Sequence, residues 1–354
     1  MTFALKRTAD GPDVIPKMDS RSGTPLVTLG MTTGVSGGPA EQRWMELLVD
    51  DLRRQTLRDW ELIVNVNGGT DDRVEEIGRA LQGLPLRAIF RQRVPQPAPH
   101  NQRHIFQMSR GRYFAWVADH DRYPATCFEK LAAVLESEPG TAIAYGRTQL
   151  IGPEDEVLSV YDDALDTRGL SPADRGIKLV QTLRSCNQYY GLWRAETLEK
   201  MDLFLHARGT DHLWLLQAAL LGDIVQLPEI LFMRRKNREL PLAAAEARIV
   251  DVSFHPGQEI LRRAPWCHLV WGHLAQVGRL LVVEDRHRAQ MAILEHCFAQ
   301  FRQALAQEIK SFGQFESEVE DGRRELPIQL MPEYYQTRAM VTFLARAAGV
   351  DKHR

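Results

Sequence analysis

The 354-residue chain lacks the features that would assign it to several common classes of protein. It has only four cysteines, and they form neither a Cys-x-x-Cys pair nor the spacing of a disulfide framework. That usage predicts a reducing cytoplasm. The formal net charge is -2, the sequence pI is about 6.6, and no basic stripe is present, so we expect no nucleic-acid partner.

Long hydrophobic runs are also missing. The longest apolar stretch, 268–283, is interrupted by His273, Gln276 and Arg279 and is too short to span a bilayer. The N-terminal segment has no apolar h-region, which favours a flexible leader over 1–23 rather than a signal peptide. We therefore expect a cytoplasmic protein. Arginine-bearing segments such as 262–273 leave peripheral contact with the inner face of the membrane open.

Strand and helix patterns alternate from residue 24 onward. Buried strands are predicted over 26–31, 60–66, 86–90, 113–118 and 141–146. Helices are predicted between them over 40–55, 70–81, 101–110 and 125–139. This alternation predicts an α/β fold with a mixed, mostly parallel, Rossmann-like sheet flanked by helices.

The pattern changes after residue 150. Segment 188–194 reads as a strand, and segment 223–235 reads as two short strands around Pro228. Beyond about residue 240 the spacing of apolar residues is almost entirely helical. The sequence thus predicts an α/β domain over 24–240 and a helical C-terminal region over 241–354, a region that leaves assembly into a homo-oligomer open.

The segment YFAWVADHDRYP, 113–124, holds the only Asp-x-Asp of the chain. Ligands of open α/β sheets bind beyond the carboxyl ends of the strands, which is where Asp119 and Asp121 follow a buried, aromatic-rich strand. Alternation along an extended chain places both carboxylates on one side. Carboxylate oxygens together with substrate phosphates are the usual ligands of Mg²⁺ or Mn²⁺, so a metal diphosphate site is predicted here.

Five segments in order resemble the family 2 glycosyltransferases, the inverting group with the GT-A fold. They are TLGMTT, QTLRDWELIVNVNGGTDD, the stretch from NQRHIF to RTQLI that contains ADHD, CNQYYGLWRAETL, and GTDHLWLLQAALLGDIVQLPEILFMRR. The resemblance covers about residues 24–236. It implies a hexosyltransferase-type enzyme that moves a sugar from a nucleotide diphosphate sugar to a hydroxyl of a glycan or lipid-linked acceptor. Bacterial surface glycan or polysaccharide synthesis is the implied setting.

The resemblance also implies roles for individual residues. Asp121 would bind the divalent metal, Mn²⁺ or Mg²⁺, directly, and Asp119 would contact the ribose or reach the metal through water. His120 lies between them in the nucleotide-sugar site. Asp211 matches the family's acidic residue near the acceptor and would accept the proton of the acceptor hydroxyl. An aspartate before an apolar run is also a favourable helix N-cap, and the two roles are compatible.

Further contacts to the nucleotide sugar are implied for Thr32, Asn67, Arg103 and Arg235. Arg103 is equally explained as a solvated helix residue. The basic run RRK, 234–236, follows a strand, and an arginine there can bind a phosphate in a bidentate manner. The chain departs from the family pattern in two places: a glycine-rich loop follows Thr33 where the family often has Tyr-Asn, and Val66 stands where an aspartate usually recognises the base. A UDP sugar is favoured as donor, with the base left open.

Two other functions fit part of the pattern. A sugar nucleotidyltransferase would carry a basic, glycine-rich loop after the first strand, but the first basic residue there, Arg43, comes late. A non-catalytic glycosyltransferase-like binding protein could use the helical region as its interface. The joint presence of Asp119, Asp121 and Asp211 favours an enzyme.

Overall fold

The structure is a computed structural model that describes residues 13–16, 23–34, 38–203, 207–236, 242–254 and 258–350. The chain divides into two compact units. The first comprises Met1–Gly169, Arg184–Phe204 and Leu221–Glu239, and the second comprises Leu170–Leu183, Leu205–Leu220 and Leu240–Arg354. The first unit contains the sheet, and the described part of the second is helical.

Nine strands form the sheet in the described residues: β1 (Asp13–Pro16), β2 (Val27–Thr33), β3 (Trp60–Asn67), β4 (Leu86–Gln92), β5 (Tyr113–Ala118), β6 (Thr141–Ile151), β7 (Val157–Val160), β8 (Leu192–Arg194) and β9 (Asp223–Arg235). Where the first unit is described, it also holds five α-helices: α1 (Pro39–Arg54), α2 (Asp71–Ala80), α3 (Ala98–Met108), α4 (Cys127–Ser137) and α6 (Ala195–Lys200). The helices of the second unit are α5 (Pro172–Thr182), α7 (Thr210–Leu221), α8 (Leu242–Ser253), α9 (Pro265–Leu280), α10 (Val283–Glu320) and α11 (Met331–Ala348).

The predicted alternation is present, and the mixed, mostly parallel sheet is confirmed. The strands lie in the order β1-β4-β3-β2-β5-β8-β6-β7, and β9 pairs with β6. The strands β4, β3, β2 and β5 are parallel, as are β6 and β9, whereas β1, β7 and β8 are antiparallel to their neighbours. Within the predicted leader, β1 adds an edge strand; residues 1–12 and 17–22 lie outside the described residues.

The order of the strands creates a switch point at the carboxyl ends of β2 and β5. From β2 the chain adds β3 and then β4 on one side and returns to add β5 on the other side. The direction of strand addition therefore reverses between β2 and β5, and a crevice for a ligand forms at the carboxyl ends of such neighbours. Asp119 to Asp121 follow β5 at this point.

Alternation along the central strands separates the two faces of the sheet. Apolar side chains that include Leu29, Val64 and Val117 pack with helices α1, α2 and α4 in one buried core. On the other face Gly30 leaves room for α3, because a Cβ there would lie 2.5 Å from Ile105 and 2.6 Å from Phe114. The α3 face carries the polar Thr28 and Asn65, both fully buried.

Two predicted strands have a different form in the structure. Segment 188–194 begins as a 3-10 turn over Asn187–Tyr190 and becomes strand only at β8. Segment 223–235 is one strand rather than two, because a bulge takes up Pro228: Gly146 pairs with Leu227, and the next residue of β6 pairs with Ile230. A proline is tolerated in a strand at such a bulge, where it forfeits no ladder hydrogen bond.

The second unit confirms the expected C-terminal helices and contains buried polar groups. Glu308 of α10 accepts hydrogen bonds from the backbone N–H groups of Trp266 and Cys267 and thereby caps the start of α9. Arg208 lies over the Trp266 ring at 3.8 Å from its centroid. No helix among the described residues combines the length and the apolarity that a membrane crossing requires.

His273 of α9 makes the stability of this unit sensitive to acid. Its ring is 2% exposed, and Nδ1 lies 4.0 Å from Cys297 Sγ. Burial, with the charges of His212 and His296, lowers the pKa of His273 from 6.5 to about 3. Below pH 6.5 the imidazole of His273 is therefore protonated in the unfolded chain but stays neutral in the folded protein. The free energy of unfolding falls as the pH is lowered, because protonation stabilises only the unfolded chain.

We expect this titration to be visible in a comparison of wild type with His273→Leu. Between pH 7 and pH 5 the free energy of unfolding of the wild type should fall by about 2 kcal/mol more than that of the variant, which has no imidazole to protonate. Urea unfolding at the two pH values measures the difference. An equal loss in both proteins would mean that His273 titrates normally in the fold.

Candidate functional site

The turn after β5 brings two carboxylates and an imidazole together. His120 Nδ1 lies 2.8 Å from Asp119 Oδ1, and its Nε2 lies 3.9 Å from Asp121 Oδ1. Asp121 is 2% exposed, whereas the side chains of Asp119 and His120 are 27% and 32% exposed. Asp119 and His120 are thus partly exposed to solvent, and Asp121 lies buried beneath them.

The charges of the turn are strongly coupled. Burial raises the pKa of Asp121, against the charge of His120 and the N–H that Arg235 donates. Burial also opposes charge on Asp119 and His120, but their hydrogen bond and mutual attraction lower the pKa of Asp119 and raise that of His120. A cation next to a buried carboxylate favours its charged form, so Asp121 would gain from a metal ion.

Arg235, at the end of β9, holds this turn through hydrogen bonds to Asp121 and His120. Its backbone N–H donates to Asp121 Oδ1 at 2.7 Å, and Nε donates to the His120 carbonyl at 2.8 Å. Nη1 donates to the carbonyls of Gly152 and Pro153, and Nη2 donates to Asp155. The guanidinium is 0% exposed, so this side chain would have to break these bonds before it could contact a phosphate.

The neighbouring Arg234 points the other way, as alternation along a strand requires. Its Nη1 donates to the Ser185 carbonyl at 2.8 Å and to Asn187 Oδ1 at 3.0 Å. Burial lowers the pKa of Arg234, and attraction to groups that include Tyr190 and Asp121 outweighs that effect. Arg234 is therefore a positively charged side chain that interacts with Asp121, and Ser185 and Asn187 hold it in place.

Thr32 lies near the end of β2, the strand beside β5, and Asn67 is the last residue of β3, which pairs with β2 on its other side. Thr32 is half-buried and pairs in register with Ala118, the residue before the acidic turn. Asn67 Nδ2 donates to the Gln96 carbonyl at 3.0 Å, and its Oδ1 accepts the Gln96 N–H at 2.8 Å. Both ends of this amide therefore fasten the proline-rich loop between β4 and α3, residues 93–97, to β3.

Val66 is 0% exposed and belongs to the apolar core on the α1 side of the sheet. Because the Val66 side chain points into that core, it cannot contact the base of a nucleotide bound at the strand ends. Arg103 lies half-buried on α3, where its charge adds to burial in lowering the pKa of His104. The structure places Arg103 on the helix that covers this end of the sheet.

Asp211 belongs to the second unit. The helix α7 begins at Thr210, whose Oγ1 donates to the Ala207 carbonyl at 2.9 Å. Asp211 therefore lies within the first helical turn rather than at the N-cap, and its Oδ1 accepts the His212 N–H at 3.1 Å. The carboxylate of Asp211 thus lies at the positive end of the α7 dipole.

Several residues of the site carry no signal in the sequence. Asp51 of α1 and Asp155 of the β6–β7 turn bind Arg122, and Asn187 binds Arg234, only through contacts between segments far apart in the chain. Arg122 directly follows Asp121 and could have been noted for its position alone. The choice between Arg234 and Arg235 depends on the face of β9, which the run of basic residues does not reveal.

Comparisons with known proteins agree with this architecture. Residues 41–171 match the family model "Glycosyl transferase family 2", and no curated protein matches the chain. The crystal structure of S. aureus TarS 1-349 in complex with UDP-GlcNAc has a TM-score of 0.59 at 13% identity, with 93% of each chain covered. TarS 1-349 alone gives 0.57 at 12% identity, covering 91% of this chain and 90% of that one.

A longer S. aureus TarS chain gives a TM-score of 0.56 at 12% identity, and the match covers 91% of this chain but 54% of the TarS chain. At these identities the likeness shows a shared fold. Both findings confirm the resemblance that the sequence motifs carry: residues 41–171 match the family 2 glycosyltransferase model, and the chain shares the fold of TarS.

Proposed function

We propose that the protein is a metal-dependent, inverting glycosyltransferase that moves a sugar from a nucleotide diphosphate sugar to an acceptor hydroxyl. The observation that carries this proposal is the Asp119–His120–Asp121 turn. It lies where the strand order reverses, with Asp121 buried and fixed by the Arg235 N–H. A bacterial glycan or a lipid-linked glycan is the proposed acceptor.

The donor set of the turn fits a hard divalent cation. Two carboxylates are present, and in the described residues Asp121 Oδ2 accepts no hydrogen bond, which leaves it available as a ligand. Mn²⁺ or Mg²⁺ would be held by Asp121, with Asp119 on the ribose or on a metal-bound water. The ion would supply positive charge where the leaving diphosphate gains negative charge.

Arg234 adds a second positive charge for the diphosphate. The guanidinium of Arg234 is attracted by the charge of Asp121, and Asn187 orients it by accepting a hydrogen bond from Nη1. Asn187 is itself fixed, because its Nδ2 donates to Asp163 Oδ2 at 2.7 Å. Arg235 and Asn67 act on the nucleotide sugar indirectly, by holding the acidic turn and the proline-rich loop.

The sugar nucleotide is proposed to be a UDP sugar. TarS shares the fold and has been crystallised with UDP-GlcNAc and with UDP. With Val66 in the core, base contacts would come from Thr32 and from α3, where Arg103 lies.

Transfer needs one base and one leaving group. The acceptor oxygen would attack the anomeric carbon as the bond from that carbon to the diphosphate oxygen breaks, which inverts the configuration. Asp211 would take the proton of the acceptor hydroxyl, and the nucleoside diphosphate would leave with the bonding electron pair. General base catalysis of this kind is worth about 100-fold to 10,000-fold in rate.

Calorimetric titration of UDP, GDP and dTDP in Mn²⁺ and in EDTA tests the donor site. We expect one nucleotide to bind in Mn²⁺, with UDP preferred, and we expect removal of the metal by EDTA to abolish measurable binding, because the diphosphate would then face two carboxylates unscreened. If no nucleotide binds in either condition, the proposed function is wrong.

A further inference from the structure

The acidic turn is held from two sides by arginines. On one side Arg122, which directly follows Asp121, donates from Nε and Nη2 to the two oxygens of Asp51 at 2.6 and 3.0 Å. Its backbone also pairs with Met233 of β9, each N–H donating to the other's carbonyl at 3.0 Å. On the other side Arg235 supports the turn through the contacts already described.

One carboxylate joins these two arginines. Asp155 lies in the turn between β6 and β7, where its Oδ2 accepts from Arg122 Nη1 at 2.6 Å and its Oδ1 accepts from Arg235 Nη2. The four side chains form an alternating series of charges, Asp51, Arg122, Asp155 and Arg235. Hydrogen bonds between ionised groups of this kind are short, directional and stronger than neutral ones.

The backbone of Asp155 is unusual as well. Its φ is +67°, in the left-handed region that non-glycine residues rarely adopt. Such a conformation is unfavourable for a residue with a Cβ, and it persists when the surroundings fix it. A glycine would adopt it freely and an aspartate tolerates it, so the two side-chain contacts of Asp155, rather than its backbone, indicate its role.

We propose that Asp155 is a positioning residue of the donor site. By holding Arg122 and Arg235 together, it fixes the ends of the acidic turn and so fixes the orientation of Asp121 toward the metal diphosphate. This inference rests on the proposed function, since it assigns a role in binding a nucleotide with a divalent cation. It adds to that function a residue that lies 34 positions beyond Asp121 in the chain.

The role requires that loss of Asp155 weaken metal-dependent binding in a folded protein. Residues that orient a metal ligand typically change metal affinity about 10-fold to 100-fold when they are replaced. Asp155→Asn keeps one acceptor oxygen and tolerates the left-handed backbone, but it removes the charge that both arginines share. Asp155→Gly removes the side chain and relieves the backbone, so it separates positioning from backbone strain.

Glu154→Gln is the matched control. Glu154 is the adjacent residue of the same turn, and its side chain is 71% exposed and pairs with the exposed Arg43 rather than with Arg122 or Arg235. The readouts are the Kd of UDP in saturating Mn²⁺, the Mn²⁺ concentration that half-saturates UDP binding at fixed UDP, and the melting temperature. Binding is measured well below the melting temperature of every variant.

We expect Asp155→Asn and Asp155→Gly to raise the half-saturating Mn²⁺ concentration about 10-fold, with Glu154→Gln unchanged. A merely structural clamp would lower the melting temperature and leave the half-saturating Mn²⁺ concentration of the folded protein as in wild type; that result overturns the inference while the proposed function stands. If wild type shows no Mn²⁺-dependent UDP binding, the proposed function fails and the inference fails with it.

Discussion

Asp121→Asn is expected to weaken Mn²⁺-dependent binding of UDP by about 100-fold or more, the upper end of what changes around a metal ligand cost. Asparagine has nearly the same shape, and its carbonyl oxygen can still accept the Arg235 N–H, so the turn should keep its fold. What the variant lacks is the negative charge that holds the cation. The measurement is calorimetric titration of UDP at saturating Mn²⁺.

The control for this change is Asp72→Asn. Asp72 is an exposed carboxylate in the first turn of α2, so it reports the loss of one negative charge without the loss of a metal ligand. We expect its Kd for UDP to equal that of wild type. Wild-type affinity in Asp121→Asn would show that Asp121 does not bind the metal.

Asp211→Asn is expected to lower kcat by about 100-fold to 10,000-fold and to leave the Kd of the nucleotide unchanged. The amide keeps the size of the side chain and can still accept the His212 N–H, but it cannot take a proton from the acceptor. The measurement is the rate of release of the nucleoside diphosphate from the donor that the titration identifies, together with the Kd of that nucleotide.

Asp251→Asn is the matched control in the second unit, because Asp251 is an exposed carboxylate of α8, 63% exposed, with Arg262 as its partner. Turnover within about twofold of wild type in Asp211→Asn would exclude Asp211 as the base. A parallel loss of nucleotide affinity would instead assign Asp211 to donor binding.

The sequence was most informative where structure depends on neighbours in the chain. The mostly apolar runs around Val64 and Val117 follow from burial on both faces of a parallel sheet, and the reversal of strand order then places Asp119 and Asp121 at the crevice. Asp-x-Asp is a local pattern, so its position at a strand end could be read directly.

The sequence was least informative where a role depends on the face of a strand or on distant pairing. Arg234 and Arg235 are adjacent, yet alternation turns the first toward Ser185 and Asn187 and buries the second against the acidic turn. Val66 departs from the family pattern, and only the sheet shows that it fills the core. Asp155 lies 33 residues after Arg122, and no local pattern links the two.

The most direct test of the account is anomalous diffraction from crystals of the protein with UDP and Mn²⁺. We predict an anomalous peak next to the Asp121 carboxylate, where the ion would be held directly by Asp121. UDP bound at the strand ends without an ion at Asp121, or a manganese ion bound only elsewhere, would contradict the proposed metal-dependent donor site.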